Sequence, residues 1–217
     1  IHLSLAKDGV SVMGPGGKKG DGKRMFSDIG LRFLAGILAH ARALSVLLSP
    51  TVNSYKRLMP GFEAPVFVCW GTGNRSVMVR VPEHAAAKGE LRLEIRSPDP
   101  SCNPYLALAG LLTAGLKGIE EGLEAPDPLE ENAYELKDEE LEALGIEKLP
   151  SNLGEAIDEA KKDSLIKEAL GHKLAERYIA LKEAEWKAYL KFLDEVGGQG
   201  DQNQVTAWEL SEYLERP

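Results

Sequence analysis

The chain has 217 residues, of which 43% are hydrophobic, and its formal net charge is −8 at pH 7. This length and composition predict a domain with a substantial buried core, alone or with a helical appendage. No apolar run approaches the roughly 18 residues that a membrane helix requires, and no signal peptide precedes the first predicted strand. We therefore expect a cytoplasmic protein with no membrane partner.

The cysteines argue against a disulfide framework, and the distribution of charge argues against nucleic acid as a partner. Cys69 and Cys102 cannot form a disulfide framework and neither has a C-x-x-C partner, so we predict that both are reduced. Residues 1–120 contain 15 basic and 9 acidic side chains, whereas the remainder contains 11 basic and 25 acidic ones. Anion binding is therefore expected in the first half, and the acidic second half argues against nucleic acid as a partner.

The first 50 residues predict a strand, a loop and a helix in that order. Residues 1–5 alternate like a β-strand. The glycine- and lysine-rich residues 14–24 predict a mobile loop in a hairpin or crossover, and they lack the G-x-x-x-x-G-K-[ST] pattern of a phosphate-binding loop. A core helix is predicted over residues 27–48, with Ser27 as its N-cap and Pro50 following its end.

The stretch from residue 53 to residue 99 concentrates charge on predicted strands. Its arginines and glutamates are Arg57, Glu63, Arg75, Arg80, Arg92, Glu94 and Arg96. Strands are predicted over residues 77–81 and 91–96, and the second puts Arg92, Glu94 and Arg96 on one face. Such a row occurs on the solvated face of an antiparallel sheet as well as in an ion site. The repeated arginines favour an anion site, because guanidinium groups make bidentate contacts with carboxylate and phosphate.

The rest of the chain predicts helices. An apolar helix over residues 104–121 is typical of a buried core helix. Shorter helices are predicted over residues 137–144, 152–161, 163–170, 173–196 and 206–214, and a turn over residues 197–200. The apolar face of the last helix, with Trp208 and Tyr213, could pack within the chain or against another subunit.

Several motifs in this central region carry a family resemblance. Residues 51–65 read T-V-N-S-Y-K-R-L-M-P-G-F-E-A-P, residues 74–76 read N-R-S, and residues 94–105 read E-I-R-S-P-D-P-S-C-N-P-Y. With these motifs the chain resembles the carboxyl half of glutamine synthetase, of the bacterial and archaeal dodecameric type. The resemblance runs from His2 to about Tyr105 and continues more loosely through the acidic tail. Ser49 departs from the asparagine that usually opens the first motif.

The resemblance implies roles for the residues that bind the amino-acid substrate. Arg57 is expected to fix a carboxylate of glutamate, and Arg96 to hold the γ-carboxylate or the acyl phosphate. Glu63 matches a glutamate on a flap that closes the site and helps to deprotonate ammonium. On this reading Glu63, Arg75 and Arg96 are the catalytic residues.

The resemblance also implies a nucleotide site and a metal site. Arg75 and Arg80 match the pair that stabilises the transferring phosphoryl group and the phosphates of ATP. His2, Ser4 and Arg92 match further contacts to the nucleotide, the first two near its adenosine part. Glu94 matches a ligand of Mg²⁺ or Mn²⁺, which prefer about six oxygen ligands, so Glu94 is expected to be one member of a set.

We therefore expect an α+β fold in which an antiparallel sheet carries the active site and is backed by the two apolar helices. Residues 1–123 would hold the sheet, core helices and site, and residues 124–217 an acidic helical tail. The implied activity is ATP-dependent ligation of ammonia to glutamate through γ-glutamyl phosphate, in a homo-oligomer that is a dodecamer in the family.

Two alternatives to this activity stay open. One is a related ligase that joins glutamate to a polyamine or another amine, and the other is a non-catalytic scaffold or regulatory relative. The sequence opens without a methionine, and the family motif places a metal-ligating histidine just before Ile1. We therefore expect a carboxyl fragment that is inactive by itself, because preceding metal ligands and the amino-terminal domain are missing.

Overall fold

The computed structural model describes residues 1–18, 21–61, 64–197 and 204–214, and the structural statements below refer to these residues. Its strands are β1 (His2–Leu3), β2 (Ala6–Lys7), β3 (Val10–Ser11), β4 (Trp70–Thr72), β5 (Val79–Val81) and β6 (Leu93–Ile95). Its α-helices are α1 (Asp28–Ala39), α2 (Ala41–Leu48), α3 (Glu83–Ala86), α4 (Pro104–Glu121), α5 (Asp138–Ala143), α6 (Leu153–Lys162), α7 (Leu165–Leu170), α8 (His172–Glu195) and α9 (Ala207–Tyr213). Short 3₁₀ helices span Gly22–Met25, Val52–Lys56 and Ala133–Glu135.

The α+β fold is confirmed, and its main sheet has the strand order β1-β6-β5-β4. Strand β6 pairs antiparallel with both β1 and β5, as predicted. The β4–β5 pair differs, because its strands run parallel. Parallel strands normally need a long crossover, but these two are so short that residues 73–78 suffice to return the chain to the start of the next strand.

Helices α1 and α4 pack closely against each other behind the sheet, because glycines face each other across the contact. A Cβ atom at Gly36 would lie 2.1 Å from the carbonyl oxygen of Ala114, and one at Gly118 would lie 2.2 Å from that of Arg32. Only glycine allows such an approach of two backbones. The predicted role of this first helical segment in the core is confirmed, since Phe33, among other residues, is fully buried.

The prediction of a single helix over residues 27–48 is wrong in one respect. The segment forms two helices, α1 and α2, and the chain bends by 74° between them. The bend lies at His40, whose Nδ1 atom is 2.6 Å from the Oδ2 atom of Asp163. That partner comes from the turn between α6 and α7, so a local pattern could not reveal it. No single helix among the described residues is long and apolar enough to span a membrane, and α1 and α2 meet the criteria of length and composition only as this bent pair.

The apolar pattern over residues 104–121 predicts a buried core helix, and this prediction is wrong for one face of α4. Ala107, Leu111 and Ala114 are fully buried against the core. The opposite face exposes large apolar side chains, which are Tyr105, Leu108, Leu112 and Leu116. Their spacing of three to four residues puts them in one stripe along the helix.

The helical tail has the predicted elements with ends shifted by one or two residues, and it forms a second apolar cluster with α2. Its last helix, α9, packs within the chain, which decides the alternative left open for Trp208. The Trp208 ring lies 5.3 Å from that of Tyr189 in α8 and 5.7 Å from that of Tyr213. Residues 198–200 of the turn predicted over 197–200 lie outside the described residues.

Candidate active site

The sheet brings charged side chains from three strands into one row. In β6 the alternation buries Leu93 and Ile95 and leaves Glu94 partly exposed on the other face. The register pairs Glu94 with His2 of β1 on one side and with Arg80 of β5 on the other. Directly opposed residues of neighbouring strands lie on the same face. The predicted charged row on β6 is therefore extended by partners that come from both neighbouring strands.

Glu94 is the acidic centre of this row, and its side chain is 20% exposed. Its Oε2 atom accepts a hydrogen bond of 2.5 Å from Nη1 of Arg80, and its Oε1 atom accepts one of 3.3 Å from Nε of Arg96. The Nε2 atom of His2 lies 3.9 Å from Oε2. One carboxylate thus orders two guanidinium groups, with positive charge in excess around it.

The His2 imidazole is adapted to act as a neutral hydrogen-bonding group. Arg92 donates from Nε to Nδ1 of His2 over 3.2 Å, which requires that nitrogen to be unprotonated. Burial lowers the pKa of His2, and the charge of Glu94 opposes this only in part while Arg92 lowers the pKa further. A histidine with a lowered pKa is uncharged at neutral pH. The arrangement therefore places a polar, uncharged ring at the edge of the row.

Arg57 reaches the same region from the 3₁₀ helix Val52–Lys56, which it caps at the carboxyl end. Its Nη2 atom donates to the carbonyl oxygen of Ser97 over 2.6 Å, and its Nη1 atom to that of Arg96 over 3.5 Å. Burial lowers the pKa of Arg57, which Asp99 partly offsets, but arginine remains protonated in proteins. The Nε atom of Arg57 is buried and has no hydrogen-bond partner in the described part of the chain.

Arg75 and Arg80 line an open cleft of about 580 Å³ beside the sheet, with the other walls formed by Gly73, Pro82, Glu83, His84 and Ala87. Arg75 is exposed, and its carbonyl oxygen accepts a hydrogen bond from Nη1 of Arg96. The Nε atom of Arg80 is buried, with no hydrogen-bond partner among the residues described. Two guanidinium groups in the lining of one cleft suit an anionic ligand.

The predicted site residues are therefore brought together to different degrees. His2, Arg80, Arg92, Glu94 and Arg96 form one connected cluster. Arg57 and Arg75 join it through backbone carbonyl groups.

Ser4 stands apart from this cluster. Ser4 is exposed and follows the end of β1. Glu63 lies outside the described residues.

Asn74 is a site residue that the sequence reasoning missed. Its Oδ1 atom accepts hydrogen bonds from the amide and hydroxyl groups of Ser76, over 2.9 and 2.7 Å. Its Nδ2 atom donates to the carbonyl oxygens of Leu129 and Glu131. These bonds fix the turn that carries Arg75. The Asn-x-Ser spacing in the N-R-S motif is typical of such a turn and could have signalled this role.

The residues present do not by themselves fit a divalent-cation site. No cluster of three or more His, Cys, Asp or Glu side chains that could hold a metal ion occurs in residues 1–18, 21–61, 64–197 and 204–214. The oxygens of Glu94 already accept from Arg80 and Arg96. Because Mg²⁺ and Mn²⁺ prefer about six oxygen ligands, Glu94 could contribute to a shared site only as one ligand.

Comparisons with known proteins agree with this geometry. Residues 1–213 match the family model described as glutamine synthetase, catalytic domain. The chain is 49% identical over 215 residues to the glutamine synthetase of Thermococcus kodakarensis and 48% identical over 214 residues to that of Pyrococcus woesei. Each alignment covers 99% of this chain and 46% of the relative, so the chain spans about half the length of these proteins.

Solved structures show the same fold. The structure of GmaS in complex with ADP superposes on this chain with a TM-score of 0.73 and is 33% identical to it in sequence. The superposition covers 99% of this chain and 45% of the GmaS chain. The GmaS structure without ligand gives a TM-score of 0.72 over the same share of this chain. Together with the family model, these similarities show that the chain belongs to the glutamine synthetase catalytic-domain family.

Proposed function

We propose that the full-length protein that contains this chain joins ammonia to glutamate and converts ATP to ADP and phosphate in the reaction. The observation that carries the proposal is the charged row on the sheet, where Glu94 orders Arg80 and Arg96 beside an open cleft. The family membership and the 49% identity to a glutamine synthetase support the same activity. The residue roles below extend these observations.

Two arginines at one edge of the row suit a dicarboxylate substrate. Arg57 and Arg96 are linked because Arg57 donates to the carbonyl groups of Arg96 and Ser97. We assign a carboxylate of glutamate to the guanidinium group of Arg57. Arg96 would hold the γ-carboxylate, which is the group that reacts. Guanidinium forks match carboxylate geometry and stay charged throughout the reaction.

The reaction then proceeds in two steps. The γ-carboxylate oxygen of glutamate attacks the γ-phosphorus of ATP, and ADP leaves. Ammonia next attacks the carbonyl carbon of γ-glutamyl phosphate, inorganic phosphate leaves, and the amide nitrogen loses a proton. Arg75, Arg80 and Arg96 would stabilise the negative charge on the transferring phosphoryl oxygens, since fixed donors in a site without water are most effective there.

The nucleotide is assigned to the cleft and to the adjacent edge of β1. The presence of Arg75 and Arg80 in the lining of the cleft supports binding of phosphates there. His2, Ser4 and Arg92 would contact the remainder of the nucleotide. The solved complex of the relative GmaS contains ADP, which is consistent with a nucleotide site in this fold.

Metal and flap assignments stay predictions. A bound Mg²⁺ or Mn²⁺ would neutralise phosphate charge, with Glu94 as one ligand in a set that needs others. Glu63, which would accept a proton from ammonium, lies outside the described residues. A cytoplasmic location is likewise still a prediction.

We also propose that the protein works as a homo-oligomer and that this chain is inactive alone. The exposed stripe on α4, with Tyr105 83% and Leu116 50% exposed, supports the first proposal. Contiguous exposed apolar surface is typical of a face that another protein surface covers. The second is supported by Glu94, which would need further metal ligands that are not grouped around it in the described residues.

The proposal is tested by ADP release from the full-length protein with glutamate and ATP, comparing ammonia with a panel of amines. We expect turnover that depends on ammonia. Turnover only with another amine would favour the related amine ligase. Absence of turnover with every amine, in a protein that is folded, would contradict a ligase and favour a scaffold. The 217-residue chain, assayed alone under the same conditions, is expected to release no ADP, and turnover by this chain would contradict its predicted inactivity.

A further inference from the structure

The chain that follows α4 returns to the sheet and lies along β4, the last strand in the sheet order. The amide of Leu129 donates to the carbonyl oxygen of Trp70 over 2.7 Å, and Nε1 of Trp70 donates to that of Pro126 over 2.9 Å. A Cβ atom at Gly71 would lie 2.2 Å from the carbonyl oxygen of Leu129, so the two backbones are in direct contact. We call residues 126–133 the edge segment. Its position is fixed by a strand that is itself buried.

The edge segment also holds the turn that carries Arg75. The Nδ2 atom of Asn74 donates to two carbonyl oxygens of the segment, over 2.8 and 2.7 Å. The Oγ atom of Ser76 accepts from the amide of Ala133 over 2.9 Å and donates to Oδ1 of Asn74 over 2.7 Å. The residues on both sides of Arg75 are therefore bonded to each other and to the edge segment. Because Ser76 is buried, breaking these bonds would leave polar groups unpaired.

This one turn affects the positions of two arginines of the candidate site. The side chain of Arg75 lines the cleft, and the carbonyl oxygen of Arg75 accepts a hydrogen bond from Nη1 of Arg96. Asparagine side chains stabilise turns by bonding to the backbone two residues on, as Asn74 does to the Ser76 amide over 2.9 Å. A shift of the turn would therefore move both a cation of the cleft and an acceptor that helps to hold Arg96.

We propose that Asn74 and Ser76 are positioning residues for phosphoryl transfer, and that through them the edge segment holds Arg75 in place. This inference rests on the proposed roles of Arg75 and Arg96 in stabilising the transferring phosphoryl group. Donors to developing charge act only when they are fixed in position, and a misplacement of about 1 Å can cost about 10²-fold in rate. The segment between α4 and α5 is thereby coupled to the rate of the first chemical step.

The kinetic test is a double-mutant cycle in the full-length protein. Asn74→Asp keeps the size of the side chain and the acceptor for Ser76, but it replaces the donor to the edge segment with an oxygen. We expect kcat/KM for ATP to fall about 10- to 100-fold. In an Arg75→Ala background the same substitution should lower kcat/KM by less than about threefold, because most of its effect acts through the Arg75 side chain.

The matched control is Asn152→Asp, which makes the same change at an exposed asparagine that caps α6 and accepts from the Glu155 amide over 2.9 Å. It should leave kcat/KM unchanged, since aspartate is also a good N-cap. An unchanged kcat/KM in Asn74→Asp would overturn the proposal. An equal fold-loss with and without Arg75 would also overturn it, because it would reveal a general structural role.

A second measurement, hydrogen exchange of the full-length protein, is independent of catalysis. In Asn74→Asp, exchange of the amides at residues 129–133 should accelerate about tenfold while exchange in α1 stays the same. Unchanged exchange at residues 129–133 would contradict the link between the turn and the edge segment. If the full-length protein shows no ligase activity but exchange accelerates, the proposed function fails and the positioning of the turn by the edge segment stands.

Discussion

The sheet face and the docking site of α9 both contain a glutamate paired with basic side chains, but the two environments differ. Glu94 is 20% exposed and has Arg80 and Arg96 as partners. Glu209 is 1% exposed, pairs with the cation Lys56, and uses the same oxygen to cap its own helix. The first cluster retains positive charge and access, as an anion site requires, whereas the second is balanced and closed.

Substitution of a sheet-face arginine should therefore affect rate far more than stability. Arg96→Ala in the full-length protein is expected to lower kcat/KM by about 10²- to 10³-fold, the usual effect of removing one donor to developing charge. The melting temperature should fall by much less than the rate, although the Arg96 side chain is only 13% exposed, because Arg80 continues to pair with Glu94. Steady-state kinetics and thermal unfolding measure the two quantities.

The exposed Arg177 on α8 provides the control for this prediction, since Arg177→Ala should change neither rate nor melting temperature. A loss of folded Arg96→Ala protein as large as its loss of activity would show that Arg96 is structural.

Substitution in an ion pair away from the sheet face, such as that of His40 with Asp163, should have the opposite effect and change stability rather than rate. Burial alone would raise the pKa of Asp163, but hydrogen bonds from His40 and from the Leu165 amide outweigh it and lower the pKa below its ordinary value. The stabilisation is therefore present above the unfolded pKa and is lost as pH falls through the folded value. Asp163→Asn should cost about 1 kcal/mol at pH 7, and the difference should shrink below roughly pH 4.

Chemical denaturation over a range of pH tests this prediction, with the exposed Asp158→Asn on α6 as the control. A difference between wild type and Asp163→Asn that stayed constant down to pH 3 would contradict it.

The smallest expected effect is on the titration of His2. Burial lowers its pKa and Glu94 opposes this, so removing the carboxylate charge should lower the pKa further. NMR titration of the 217-residue chain should show this decrease in Glu94→Gln. Glu176→Gln, at an exposed position on α8, should leave the titration of His2 unchanged. A rise in the pKa of His2 in Glu94→Gln would show that Glu94 does not face the ring as described.

Local patterns predicted much of the fold and part of the site. The alternation around Glu94 is confirmed because the period of a strand depends only on neighbouring residues. The bend at His40 depends on Asp163, and the parallel pairing of β4 depends on a distant strand, so neither could be read locally. For α4, an apolar composition on every face does not reveal which face stays uncovered.

The same limit applies to the candidate site. The row of Arg92, Glu94 and Arg96 was predicted, but its cross-strand partners His2 and Arg80 were assigned roles only through the family resemblance. The link from Arg57 to Ser97 and the contact of Lys56 with Glu209 join residues 40 and 153 positions apart. Such pairings depend on tertiary packing. The periodicity of the sequence reports only on neighbouring residues, so it could not predict them.

The most direct test of the account is a crystal structure of the full-length protein with ADP and a phosphonate analogue of γ-glutamyl phosphate. We expect phosphonate oxygens within hydrogen-bond distance of the guanidinium groups of Arg80 and Arg96, and a carboxylate of the analogue on Arg57. An analogue bound away from this sheet face, with Arg80 and Arg96 still paired to Glu94, would contradict the assignment of the row as the active site.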